Sequence, residues 1–204
     1  MNATLDASTD FERATDPFPL FDRWMADAEQ SEPNDPNAVC LATATPDGRP
    51  AARIVLLKSV DPRGFVFHSH YTGRKGEEMA ANPQVALCFH WKTLHRQVRV
   101  EGRVERASAE ESDSYYASRA RTSRLGAWAS RQSQPLRDRA ELEAALREVE
   151  ARFPGEDVPR PEHWGGFRVV PTVVEFWQDA PYRLHDRRVF TRTGEGWATQ
   201  RLYP

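Results

Sequence analysis

The sequence predicts one mainly β domain with peripheral helices, an antiparallel barrel of the α+β class. Two observations carry this prediction. Short apolar segments separated by Pro- and Gly-containing turns begin near residue 38 and again near residue 164, as is typical of sequential antiparallel strands. Segments with helical spacing lie at residues 16–29 and 109–153. With 204 residues, the chain is long enough to form a single core of this kind.

The N-terminal segment, residues 1–15, is expected to be a flexible arm because it contains few large apolar side chains. A single domain is expected over residues 16–204. Asp16 and Pro17 are of the types that commonly cap a helix and open its first turn. The first helix is therefore predicted to run from this point to about Glu29.

About nine strands and four or five helices are predicted along the chain. Three strands form an expected meander, a brief helix over residues 73–83 follows, and two alternating strands come next. Four more strands are expected after the helical segment. The nine expected strands are AVCLATAT, ARIVLLKSV, FVFHSH, VALCFHW, RQVRVEGRVER, FRVV, TVVEFWQ, DRRVFTR and WATQRLY.

Composition and charge argue against several classes of function. The formal net charge of −2 offers no general attraction to nucleic acid. No apolar run reaches the roughly 18 residues of a membrane span, and the N-terminus lacks the pattern of a signal peptide. Cys40 and Cys88 lie in apolar segments and are expected to be buried free thiols. The sequence therefore predicts a cytoplasmic protein with no nucleic-acid or membrane partner.

Basic residues in two consecutive elements suggest a site for an anion. In the expected strand 52–58, Arg53 and Lys58 point to opposite faces of an otherwise apolar segment. Such charges need either an anionic partner or a route to solvent, and both alternatives stay open here. Arg74 and Lys75 open the next helix, where free backbone N–H groups also favour an anion. A solvated helix start is the alternative for this pair.

A second candidate site lies in the helical segment 109–153. Tyr115, Arg119 and Ser123 follow one another at intervals of four, so a continuous helix places them near one face. A phenol, a guanidinium and a hydroxyl together suit a phosphate group, and we call these three residues the phosphate cup. An ordinary polar helix face is the alternative interpretation.

A third candidate site follows Trp177, whose flat apolar ring is suited to covering an aromatic ligand. Arg183 and His185 are expected to alternate onto one strand face, with Arg187 two residues further on. An exposed basic edge strand is the alternative. No metal site is expected, because the His residues around His68 lack a carboxylate or Cys at a familiar spacing. A Ser-His-Asp hydrolase is not supported, since the chain has no G-x-S-x-G motif.

A set of short motifs extends from about Asp16 to the last residue. They are RIVLLK (53–58), GRKGEEMAANP (73–83), RQV (96–98), SYYASR with Ser123, GAWASRQS (126–133), WGGFRV (164–169), EFWQ (175–178), RLHDR (183–187) and RLYP (201–204). This combination resembles the pyridoxine/pyridoxamine 5′-phosphate oxidase family. The resemblance implies an FMN-binding split β-barrel that forms a homodimer, with FMN in the cleft between the subunits.

The resemblance also implies roles for individual residues. Substrate would be bound by the phosphate cup, Lys58 and a second group of residues, Arg183, Leu184 and His185, of which Arg183 and His185 would be the catalytic pair. FMN would be bound by Arg53, Ile54, Val55, Leu56, Leu57, Lys58, His68, Ser69, Arg74, Lys75, Gln97, Gln132, Ser133, Trp177 and Arg187. Arg53, Arg74 and Lys75 would hold its phosphate.

The implied reaction is oxidation of pyridoxine 5′-phosphate or pyridoxamine 5′-phosphate to pyridoxal 5′-phosphate. A hydride passes from the substrate C4′ to flavin N5, and O2 accepts the electrons and forms H2O2. Two alternatives remain at this point. One is a related FMN oxidase of phenazine-type biosynthesis, which the retained phosphate cup disfavours. The other is a non-catalytic FMN or pyridoxal phosphate binding protein, which the retained Arg183 and His185 disfavour.

Overall fold

A computed structural model describes residues 11–204, which form one antiparallel sheet of eight strands with helices around it. The strand order is β3-β2-β1-β4-β5-β6-β7-β8, and β3 also pairs with β6. This last pairing closes six strands into a barrel, while β7 and β8 continue from the far half of β6. The predicted mainly β barrel with peripheral helices is confirmed.

The elements have the following bounds. The strands are β1 Ala38–Ala44, β2 Pro50–Asp61, β3 Gly64–His70, β4 Gln84–Trp91, β5 Arg96–Arg106, β6 Trp164–Gln178, β7 Asp186–Thr193 and β8 Gly196–Arg201. The helices are α1 Pro17–Ser31, α2 Arg74–Ala81, α3 Ala109–Ser118, α4 Arg121–Ala129 and α5 Arg139–Arg152, with a 3-10 turn at Pro181–Arg183. No helix of residues 11–204 is long and apolar enough to cross a membrane.

The two strands expected on either side of Pro171 are one continuous strand, β6, so eight strands replace the predicted nine. Pro171 pairs with Gly102 and Val173 pairs with Glu101, which leaves Thr172 as an extra residue in a bulge. A bulge tolerates the missing N–H of a proline inside a strand. Pro171 therefore interrupts the regular pairing without ending the strand.

Helix α1 packs its apolar side chains against the core of the barrel. It begins at the predicted residue. The Asp16 side chain accepts a hydrogen bond from the Phe18 N–H, and Pro17 occupies the first helical position. Phe21 is fully buried and packs edge-on against Phe65 and Phe89, with ring centroids 5.0 and 5.1 Å away. Aromatic contacts of this geometry join the helix to strands β3 and β4.

The segment just before α1 differs from the expected flexible arm. Phe11 is only 7% exposed and stacks on Trp24 at 5.8 Å. The Arg188 guanidinium of β7 donates to the backbone carbonyls of Glu12 and Ala14. These contacts attach residues 11–15 to the barrel, at the end of the segment that the sequence predicts to be a flexible arm. Residues 1–10 of the expected arm lie outside the described residues.

The helical segment 109–153 is divided into three helices. Helix α3 begins with a reciprocal cap between Ser108 and Glu111. Glu111 also accepts from Arg168 of β6 at 2.7 Å, and the Arg168 side chain is buried. This ion pair fixes the start of α3 on the barrel. Helix α3 ends at Ser118 because Arg119 has an extended backbone, with φ −75° and ψ 148°.

Candidate functional site

A cavity of about 730 Å³ lies between the outer face of β2, the end of β3 and helices α2, α3 and α4. It brings together most of the residues that the sequence singled out on these elements. Its lining contains Ile54, Val55, Leu56, Lys58, His68, Ser69, Lys75, Tyr115, Arg119, Ser123 and Gln132. It also contains residues that the sequence did not single out, namely His70, Ala120, Gly126, Ala127, Ser130 and Trp164.

Lys58 enters this cavity from a bulge in β2. Leu57 pairs with Phe67 of β3 and Ser59 pairs with Val66, so Lys58 is the residue without a partner. A bulge redirects the extra side chain and bends its strand. Leu57 itself is buried in the core. The side chain of Lys58 lies 5.8 Å from the centre of the Tyr115 ring, next to the phosphate cup.

The three residues of the phosphate cup line the same cavity, but they do not share one helix. Tyr115 belongs to α3, Arg119 follows the end of α3 in extended conformation, and Ser123 belongs to α4. The expected convergence is therefore present, while the expected continuous helical face is wrong. The chain turns between α3 and α4, and this turn points Arg119 into the cavity.

The guanidinium of Arg119 lies over the Trp164 ring at 4.7 Å. Its Nη1 atom is buried and has no hydrogen-bond partner within residues 11–204. Burial lowers the pKa of Arg119, although Tyr115 and Tyr116 act in the opposite direction. A buried donor without a partner is costly, so this atom identifies a position where a ligand oxygen fits.

His68 lies between two aromatic rings on the cavity wall. Its ring is 4.0 Å from that of Tyr115 and 5.4 Å from that of Trp164. Both ring nitrogens are buried without a partner in the described part of the chain. Burial lowers the pKa of His68 to about 4, with further contributions from the charges of Arg119 and Lys58. The imidazole is therefore neutral at neutral pH.

A cluster of basic residues lies at the α2 end of the cavity. Lys75 Nζ donates to Gln132 Oε1 at 2.6 Å and to Ser69 Oγ at 3.1 Å. Burial lowers the pKa of Lys75, and the nearby charge of Arg53 adds to this effect. Arg53 and Arg74 do not line the cavity; both donate to the carboxylate of Glu78 on α2. The basic residues of the predicted anion site therefore lie close together, with a carboxylate between two of them.

A second set of expected site residues lies outside this cavity, on the outer face of β5, β6 and β7. Gln97 pairs with Trp177, which in turn pairs with Arg187, so the three form one row across the sheet. Arg187 Nε donates to Glu175 at 2.8 Å, and its Nη1 donates to the Tyr203 carbonyl at 3.0 Å. Ser133 lines a separate cavity of about 230 Å³ beside α5.

Arg183 and His185 do not lie on a strand, contrary to the expectation. Arg183 ends the 3-10 turn with a φ of 63°, and β7 begins only at Asp186. The His185 ring lies 4.6 Å from that of Trp177, and its Nδ1 atom is 2.9 Å from an Asp179 oxygen. The turn breaks the alternation that a strand requires, so the two side chains are presented by a loop. Leu184, between them, is 67% exposed.

Comparison with known proteins gives consistent matches. Residues 25–153 match the family model described as pyridoxamine 5′-phosphate oxidase. Residues 164–204 match the model described as the pyridoxine 5′-phosphate oxidase C-terminal dimerisation region. The chain belongs to the pyridoxine/pyridoxamine 5′-phosphate oxidase family.

Two curated members of this family cover nearly the entire chain. The pyridoxine/pyridoxamine 5′-phosphate oxidase of Gluconobacter oxydans is 61% identical over 93% of this chain and 94% of its own. That of Granulibacter bethesdensis is 55% identical over the full length of both. Among solved structures, PhzG from Burkholderia lata with bound tetrahydrophenazine-1-carboxylic acid has a TM-score of 0.90 at 33% identity, covering 96% of each chain. An FMN-binding protein of Nostoc punctiforme shares the fold, with a TM-score of 0.75 at 15% identity.

In this member of the family, several residues near the site were not predicted from the sequence, and four of them make contacts with expected site residues or line the cavity. Trp164 and His70 line the cavity, while Glu78 and Glu175 are buried carboxylates that hold arginines. Glu78 carried a usable signal, since it follows Arg74 at a spacing of four, which favours an ion pair on a helix. The other three depend on contacts between elements far apart in sequence.

Proposed function

We propose that the chain oxidises pyridoxine 5′-phosphate and pyridoxamine 5′-phosphate to pyridoxal 5′-phosphate, with FMN as the cofactor and O2 as the acceptor. The observation that carries this proposal is the convergence of Lys58 and the phosphate cup on one cavity. The buried Nη1 of Arg119, which has no partner among the described residues, gives this end of the cavity a strong preference for an anionic oxygen. A phosphorylated substrate satisfies that preference.

The residues present fit FMN in the rest of the site. Arg53, Arg74 and Lys75 supply three positive charges for its phosphate, beside a helix N-terminus. Ile54 is 64% exposed on the cavity wall and offers an apolar surface to a flat ring. The chemistry supplied by bound FMN is acceptance of a hydride from substrate C4′ at N5 and transfer of the electrons to O2, with formation of H2O2.

A two-fold homodimer explains why the site residues fall into two separate sets. In such a dimer each chain contributes the same surface, so the row at Gln97, Trp177 and Arg187 of one copy can complete the cavity of the other. Residues 164–204, which carry most of the second set, match a dimerisation region. We therefore place FMN between the subunits. Arg183 and His185 then reach the substrate ring from the second copy.

In this arrangement the protein contributes position and charge. The phosphate cup and Lys58 would hold one end of the substrate, and Arg183 and His185 would hold the ring, which would fix C4′ in position for transfer of its hydride. Such positioning contributes several kcal/mol, with about 7–11 kcal/mol as the upper range for well-oriented groups. Arg183 orients the substrate and stabilises developing charge, and His185 assists it.

A mixing experiment tests the two-chain site. Arg119→Met and Arg183→Ala each damage both sites of a homodimer. In a mixed dimer, one site carries both defects and the other carries neither, so random mixing restores about a quarter of the normal activity. If both residues serve one site within a single chain, every site carries a defect and mixing restores nothing.

A phenazine-type oxidase is the second candidate, and the structural likeness to PhzG favours it. The phosphate cup argues against it, because a carboxylic acid without phosphate leaves part of this cationic end unmatched. The higher identity to pyridoxine/pyridoxamine 5′-phosphate oxidases, 61% against 33%, points the same way. A non-catalytic binder of FMN or pyridoxal phosphate is the third candidate.

One assay separates these three candidates. FMN-loaded protein is given pyridoxine, pyridoxamine and their 5′-phosphates in air, and pyridoxal 5′-phosphate and H2O2 are measured. We expect efficient turnover of the phosphorylated forms and only very low turnover of pyridoxine and pyridoxamine. Flavin binding without turnover would favour the binding protein. Turnover of a reduced phenazine carboxylic acid, without turnover of the phosphorylated forms, would favour the phenazine-type oxidase.

We also place the enzyme in the cytoplasm. Cys40 of β1 and Cys88 of β4 are directly opposite each other in the sheet, and both are free thiols. Neighbouring thiols remain reduced most readily in a reducing compartment. Thiol titration of freshly isolated protein tests this placement, with two reactive thiols expected per denatured chain.

A further inference from the structure

Glu78 is a buried carboxylate placed between two arginines of the proposed FMN phosphate site. It is 7% exposed, on α2. Its Oε2 accepts from Arg53 Nη2 at 3.0 Å, and its Oε1 accepts from Arg74 Nε at 2.8 Å. The Thr43 hydroxyl of β1 donates to the same carboxylate. One acidic side chain therefore joins β1, β2 and the start of α2.

The partners of Glu78 keep it charged. Burial by itself raises the pKa of Glu78, but the hydrogen bonds from Thr43, Arg74 and Arg53 outweigh burial and lower it. The carboxylate engages Nη2 of Arg53, whose Nη1 donates to Thr43 Oγ1 at 2.6 Å and to the Leu41 carbonyl at 3.3 Å. Arg74 uses only Nε for this contact. Its two Nη groups have no partner among the described residues and can therefore bind a ligand.

We propose that Glu78 is a positioning residue that holds Arg53 and Arg74 in the arrangement that receives the phosphate of FMN. Long arginine side chains lose conformational freedom when they bind a ligand. Two guanidiniums already fixed by a buried carboxylate have less freedom left to lose. The inference rests on the proposed function, because it takes FMN to be the ligand of this cluster.

If Glu78 only added a negative charge near the phosphate and positioned nothing, its removal would have the opposite effect on FMN binding. A carboxylate beside a phosphate repels it, so removal of the negative charge from a non-positioning Glu78 would strengthen FMN binding. The direction of the change therefore separates the two roles. Riboflavin, which lacks the phosphate, adds a second distinction, since a general structural defect weakens both flavins alike.

The test is a fluorescence titration of flavin-free, full-length protein with FMN and with riboflavin. For Glu78→Gln we expect the Kd for FMN to rise about tenfold, as for the loss of an ordered contact to a charged group. The Kd for riboflavin should change less than about twofold. Glu77→Gln is the matched control, because Glu77 is the exposed neighbour on the same helix and its loss changes charge equally. It should leave both values unchanged.

Three outcomes would overturn the inference: FMN binding that is unchanged or stronger in Glu78→Gln, equal losses for both flavins, or the same loss in Glu77→Gln. If Glu78→Gln does not fold, Glu78→Asp retains the charge but shortens the reach to the arginines. Its FMN affinity should then fall several-fold, and a normal value would also overturn the inference. Failure of the unaltered protein to prefer FMN over riboflavin would contradict the proposed function instead.

Discussion

Replacement of Arg119 by methionine should separate catalysis from stability. Arg119 is half-buried, its guanidinium lies over Trp164, and its buried Nη1, which carries two N–H bonds, has no partner in the described chain. Two charge-assisted hydrogen bonds from it to a substrate phosphate contribute about 3 kcal/mol. The kcat/KM for pyridoxamine 5′-phosphate should therefore fall about 100- to 200-fold in Arg119→Met. The value for unphosphorylated pyridoxamine, already low, should change little.

The same substitution should leave the fold intact. Loss of the cation–π contact with Trp164 costs about 1 kcal/mol, while removal of the buried, unpartnered donor recovers about 1–3 kcal/mol. Urea denaturation of the flavin-free protein should thus show an equal or slightly higher free energy of unfolding. Arg139→Met, at an exposed position on α5, is the control and should alter neither measurement. Equal loss of kcat/KM with both substrates, or a marked loss of stability, would refute the reasoning.

Four further substitutions test the site. Lys58→Ala should raise the KM for phosphorylated substrate, whereas Arg183→Ala should lower kcat more than it raises KM. Steady-state kinetics with saturating FMN distinguishes the two effects. Normal turnover in Arg183→Ala would contradict the catalytic role assigned to Arg183. Glu175→Gln should weaken FMN binding several-fold, because Glu175 holds Arg187 Nε at 2.8 Å; an unchanged flavin titration would contradict this. The pKa of His68 is about 4 in the folded protein and 6.5 in its ordinary, unburied state. Between these pH values the unfolded chain binds more protons than the folded chain, so the free energy of unfolding should fall as the pH falls from 6.5 to about 4. In His68→Phe the fall measured by thermal unfolding should be shallower, and an identical slope would argue against this.

The sequence was sufficient for the features that depend on local pattern. Alternation placed Arg53 and Val55 away from Ile54 and Leu56, and β2 has this arrangement. The Asp16-Pro17 pair gave the start of α1 correctly because capping uses neighbouring atoms alone. These predictions needed no knowledge of the partner strands.

The predictions that were wrong concern features that depend on contacts between segments distant in the sequence. The bulge at Lys58 arises from the register of β2 on β3, which residue types in β2 do not reveal. The phosphate cup was found through an assumed continuous helix, although the chain breaks at Arg119. The three side chains of the phosphate cup nevertheless line one cavity, because the chain turns between α3 and α4. The three predicted residues therefore line one cavity, although the local geometry assumed for them was wrong.

The turn that carries Arg183 bears on the proposed division of the site between two copies. Tyr182 and Arg183 have φ values of 61° and 63°, in the left-handed region that costs non-glycine residues about 1–2 kcal/mol each. Tyr182 is 93% exposed and Leu184 is 67% exposed, so little packing within the chain opposes this cost. Strained backbone persists where surrounding contacts determine it. In the proposed homodimer, a second copy packed against this turn would supply such contacts and would at the same time receive Arg183 in its cavity. The strain and the separated site residues thus have one explanation.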